Sequence, residues 1–162
     1  MQALDIHLLL NYYPAFGMVI GSLILVAGLW RCQPNMQRLG LKVLLFVVVI
    51  AIAVALSGEL AGLAAQPMDG PRADALMAHK QSGTVAFVIA LATGILALVA
   101  LLRGRTDTER LRRFSIIVMI LAIAASVLLI ATIFKGRHVK WVAANQKEID
   151  RPTILENKLW HV

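Results

Sequence analysis

This 162-residue chain predicts an all-α fold, an integral membrane four-helix bundle with a peripheral C-terminal tail, and three observations carry that reading. Hydrophobic residues make up 59% of the chain against 15% charged. Mean hydropathy is +0.77, above what a soluble domain shows. The apolar residues collect in four runs, near 8–30, 41–57, 83–102 and 114–134. Each approaches the roughly 20 residues that a bilayer core demands.

The first run opens with IHLLLNYYPAFGMVIG, where His7, Asn11, Tyr12, Tyr13 and Pro14 interrupt an otherwise apolar helix. A plain anchor needs none of them, because polar groups cost free energy in hydrocarbon unless something satisfies them. Pro14 is tolerable there, since the amides of a first turn lack intrahelical partners. Residues 1–6 carry Asp5 and no Lys or Arg, the reverse of a secretory n-region, so the first span is expected to be retained. The second run is the shortest and has apolar sequence to extend through Gly58 to Ala65. The connections RCQPNMQRLG, residues 65–81 and RGRTDTERLRR are too short for a further domain. The bundle is assigned to residues 1–134 and a basic interfacial extension to 135–162. Within that extension we expect an interfacial helix over about 139–148, then an extended arm from Pro152. No internal repeat or low-complexity run is present.

Short loops make successive helices antiparallel neighbours, and an even number of spans puts both termini on one side. Arg31, Arg38 and Lys42 lie in the first loop, and Arg103, Arg105, Arg110, Arg112 and Arg113 in the third against Asp107 and Glu109. By the positive-inside rule those loops face the cytoplasm, which leaves both termini periplasmic in a bacterial inner membrane. The tail opposes this, because its six cations bring Lys and Arg to eight on each side. The first hairpin decides the matter here, since the first helix usually dominates orientation.

Whichever side it faces, one membrane surface gathers the polar chemistry. His7 precedes the first span, Glu59 follows the second, His79 precedes the third and His138 follows the fourth, with Asn11, Tyr12 and Tyr13 in the same layer. Helical periodicity places His7 on a face with Asn11, Pro14, Gly17, Gly21 and Gly28. His79 shares a face with Gly83, Ala86, Ala90, Gly94 and Ala97. Stripes of small residues let membrane helices approach closely, so both histidines are expected to face the bundle interior.

Three readings of that layer stay open. In the first the histidines are interfacial caps and the glycines serve helix packing. In the second, haem b takes His7 and His79 as axial ligands, with Gly17 and Gly83 making room for the ring, Tyr12 bordering it, and Arg72 or Lys80 pairing with propionates. The third is a metal site of His7, His79 and Glu59, a ligand set suited to zinc or non-haem iron.

The opening IHLLLNYYP resembles the IHPxxVHFP opening of a bacterial family of small four-span membrane proteins of unknown function. SGELAG and the later MAHKQSG resemble that family's TGE-A and HE-A-G elements, so the likeness covers about residues 6–102. His7, Pro14, Gly58, Glu59 and His79 match position by position. Leu8 replaces the family's proline, and Tyr12 stands where a second histidine is frequent. Members of the family also occur fused to Rieske-type iron–sulfur domains, which implies a respiratory or electron-transfer context.

Other chemistry finds little support. Cys32 is the only cysteine, which excludes a disulfide framework. There is no GxGxxG, P-loop or HExxH, and no serine with a nucleophile motif, so the chain reads as a subunit more than an enzyme. The net charge of +7 belongs to arginines flanking apolar spans, where anionic lipid accounts for it better than nucleic acid. No span has a central charge of the kind ion pathways use. Two functions follow: a small electron-transfer subunit with b-type haem, or a cofactor-free accessory subunit packed against a larger membrane, and on the first reading redox, complex.

Overall fold

The computed structural model describes the backbone of residues 10–63 and 71–159 and the side chains of residues 10–59 and 73–137. Over these residues the chain forms helices α1 (Tyr12–Trp30), α2 (Pro34–Leu63), α3 (Pro71–Arg103) and α4 (Thr108–Leu159), with no strand among them. Four segments are long and apolar enough to cross a membrane: Tyr12–Trp30, Pro34–Glu59, Ala73–Arg103 and Thr108–Arg137. The fold is the all-α four-helix bundle that the composition predicts.

The helices run longer than the apolar stretches, and the loops shrink accordingly. Of the expected loop RCQPNMQRLG only residues 31–33 stay outside a helix. Pro34 begins α2 because its fixed φ suits a helical first turn, where a missing donor costs nothing. The turn is closed by Arg31 N–H to Ala27 O (3.0 Å) and Gln33 N–H to Gly28 O (2.9 Å), with Cys32 in the left-handed region at φ 51°. Between α3 and α4, Asp107 Oδ1 accepts from the amides of Glu109 and Arg110, both at 3.0 Å, and so caps the last helix.

The tail needs a correction. The extended arm expected from Pro152 is absent, because α4 continues without a break to Leu159. The residues around Pro152 include Gln146, Lys147, Glu148, Leu155, Glu156 and Lys158, all good helix formers. A proline removes one donor from a long helix and bends it more readily than it ends it. From residue 135 to Leu159 the helix rises roughly 37 Å past the apolar run 114–134.

Successive helices pack against one another, α4 closes on α1, and the diagonal pair α1 and α3 has almost no contact. Backbones approach closely between α1 and α2. A Cβ on Gly28 would stand 2.7 Å from Gln37 N, and one on Gly40 would stand 2.9 Å from Leu25 N. Gln37 also donates from Nε2 to Gly28 O at 3.3 Å.

The interior is built of small residues and a few large ones. Ala86, Ala90, Ala97, Ala100, Ala122 and Ala125 are buried around Met18, Leu25, Leu41, Leu44, Leu111 and Val118. The outer surface carries the bulky groups instead: Phe16, Phe46 and Phe134 are each more than 60% exposed, alongside Leu23, Leu56 and Val127. In water so continuous an apolar surface drives aggregation. Against lipid tails it costs nothing, and close packing of small residues becomes what holds the helices together.

Candidate functional site

The helix ends opposite the basic loops carry a polar layer assembled from α2, α3 and α4. The face of α3 that carries His79 and Gly83 turns toward Thr132 and Lys135 of α4. His79, half-buried, places Nδ1 3.1 Å from Thr132 O. A carbonyl can only accept, so Nδ1 carries the proton and Nε2 keeps its lone pair when the ring is neutral. The Thr132 hydroxyl turns away and donates to Leu128 O at 2.8 Å. One helical turn along α3, the Ser82 hydroxyl both donates to Ala78 O (2.9 Å) and accepts from Lys135 Nζ. These contacts fasten α3 to α4 at two successive levels.

Glu59 fastens α2 to α3. Its Oε2 accepts from Lys80 Nζ at 3.3 Å, and both side chains are about two-thirds exposed. A solvated pair of this kind contributes at most about 1 kcal/mol, so it orients the helix ends more than it stabilises them. The partner of Glu59 is therefore the lysine beside His79. Among the described residues no group of three His, Cys, Asp or Glu side chains comes together. His7 and His161 lie outside the described residues, and the side chains of Arg72 and His138 lie outside the described side chains. Tyr12 is half-buried with its ring stacked on exposed Phe16 at a centroid distance of 6.4 Å and 21° between planes.

The small-residue stripes face inward as their spacing predicts, and other helices fill them. A Cβ on Gly17 would lie 2.5 Å from Val47 Cγ2, one on Gly21 2.6 Å from Leu44 Cδ2, and one on Gly94 2.8 Å from Val48 Cγ1. Among the described glycines of the two stripes only Gly83 has room, with Thr132 Cγ2 at 3.7 Å. Side chains of α2 thus occupy the space that a flat ring beneath Gly17 needs. The stripe of α1 faces α2, while at Gly83 the stripe of α3 faces α4. The described interior does not fit a haem laid against Gly17.

Sequence reasoning passed over Ser82, Thr132 and Lys135. Thr132 contributes a backbone carbonyl, which any residue carries, and Ser82 looks like an ordinary polar residue near a helix end. Only the register between α3 and α4 brings them to His79, and one helix's sequence does not encode that register.

No family model, curated protein or solved structure matches this chain.

Proposed function

We propose that this chain is a cofactor-free accessory subunit of the bacterial inner membrane, packed against a larger membrane protein complex. The single observation behind this reading is that side chains of α2 fill most of the two small-residue stripes, Val47 and Leu44 against Gly17 and Gly21 and Val48 against Gly94, with room left at Gly83. A bundle so filled transmits position instead of holding a ligand between its helices. The continuation of α4 beyond the apolar run 114–134 gives it an element with which to reach a partner outside the bilayer. The likeness of IHLLLNYYP and MAHKQSG to the four-span family agrees with this topology.

A second reading, electron transfer through b-type haem, draws on His79. Histidines that bind metals commonly donate their other ring N–H to a backbone carbonyl, and the His79–Thr132 bond has that form. His79, through Nε2, and His7 would then hold the group, and haem would supply reversible one-electron chemistry when bound. A ring there must avoid the space filled at Gly17.

Two measurements on membranes solubilised in mild detergent separate the readings. The accessory role expects migration on a native gel far above the 17.6 kDa chain, unchanged by His79→Leu, and no haem band in the dithionite-reduced spectrum. An α-band in the b-type region that vanishes with His79→Leu would overturn it in favour of the cytochrome. Migration as an isolated chain without such a band would sink both.

A further inference from the structure

The membrane surface opposite His79 carries a cleft of about 290 Å³ lined by Arg103, Arg110, Arg113, Phe114 and Ile117. Arg103 ends α3, Arg110 and Arg113 lie in the first two turns of α4, and Phe114 and Ile117 follow them along the same helix. Three guanidinium groups and two apolar side chains thus line it together, with Phe114 and Ile117 farther along the membrane-crossing segment than the arginines of the same helix. We propose that this cleft binds an anionic phospholipid, with its phosphodiester among the three arginines and the start of an acyl chain over Phe114 and Ile117.

The charge arrangement favours such an occupant. Arg110 pairs with Asp107 at 3.0 Å and Arg113 with Glu109 at 3.1 Å, which holds both guanidiniums near the helix while leaving donors open. Arg103 has no ion pair among the described residues. Arg105 and Arg112 are exposed on the same loop and helix start, so five arginines there face two acids. A phosphodiester meets that excess with its full negative charge and accepts from several N–H groups at once. A zwitterionic headgroup brings a cation of its own into the same field. The apolar part of the lining decides between ligand classes. Ile117 is 48% exposed within a membrane-crossing segment, which a lipid reaches laterally and a soluble polymer does not. Basic pockets at helix ends recognise acidic headgroups on these terms.

Native mass spectrometry of the full-length protein in mild detergent, offered equimolar dioleoyl-phosphatidylglycerol and dioleoyl-phosphatidylcholine, tests the assignment. Phosphatidylglycerol adducts should dominate in the wild type. Arg103→Gln should reduce them about fivefold, the effect of one interfacial cation. Arg31→Gln removes a charge at the same membrane surface outside the cleft, and it should change them little. Arg113→Gln gives the same reading without touching α3, so the result does not depend on one variant folding. Equal binding of the two lipids would overturn the proposal, as would equal losses from Arg31→Gln and Arg103→Gln. Displacement of the lipid by millimolar inorganic phosphate would also overturn it and mark a free-anion site instead. These outcomes do not depend on whether haem is bound.

Discussion

Arg38 joins two parts of the chain that are far apart in sequence. From the second turn of α2 its Nη2 donates to Gly104 O (3.2 Å) and Arg105 O (3.4 Å), carbonyls just past the C-terminal end of α3. Those carbonyls have no intrahelical partner, and a cation there also opposes the negative end of the helix dipole. Arg38→Ala should therefore lower stability by about 1–2 kcal/mol. Arg38→Lys should recover less than half of that loss, because one ammonium cannot serve those carbonyls together with Asn35 Oδ1, to which Nη1 donates at 3.4 Å. Denaturant unfolding in detergent, followed by circular dichroism, measures both, and full rescue by lysine would reduce the contact to simple charge. In the sequence Arg38 is legible only as a positive charge flanking a span. The same holds for His79, whose inward direction follows from its spacing to Gly83 and Ala86 but whose acceptor on α4 does not.

At the scale of elements, glycine substitutions distinguish close backbone contact from open space. A Cβ on Gly40 meets the backbone of Leu25 at 2.9–3.0 Å, where no side chain can yield. Gly40→Ala should cost about 1–3 kcal/mol through forced separation of α1 and α2. Gly83→Ala places its methyl in ordinary contact with Thr132 Cγ2 at 3.7 Å, and alanine is the better helix former. It should be neutral or stabilise by up to about 1 kcal/mol. Thermal unfolding of both variants in one detergent checks the contrast, and equal losses would contradict this packing. Which faces turn inward was readable, because Gly17, Gly21, Gly28 and the run from Gly83 to Ala97 repeat with the helical period. What fills them was not, since Val47 and Val48 look like any other apolar residues of α2. The length of α4 escaped for another reason. Pro152 is a strong local stop signal, and the helix formers on both sides outweigh it.

For the whole molecule, charge in the first hairpin predicts which face of the bundle meets the cytoplasm, and the chain carries its own reporter. Cys32 is the only cysteine, and it is exposed in the turn between α1 and α2. Arg31, Arg38 and Lys42 surround that turn with no acid among residues 31–42, and Arg38 links it to the arginine-rich connection between α3 and α4. Moving these cations across the bilayer during insertion is opposed by the membrane potential, and the first hairpin usually sets orientation. Lys135 and Arg137, with the cations after them, weigh on the other side, but they follow the last span and reach the membrane after the first hairpin is in place. Cys32 should therefore resist an impermeant maleimide in intact spheroplasts and react once the membrane is broken. The complementary variant combines Cys32→Gly with Gln66→Cys. Glycine suits the left-handed φ of 51° at position 32, so the turn should survive the change. The new thiol should be labelled in intact spheroplasts. Labelling of Cys32 before lysis, with protection of the thiol at position 66, would reverse the orientation. It would then place the distal part of α4 and the polar layer around His79 on the cytoplasmic side.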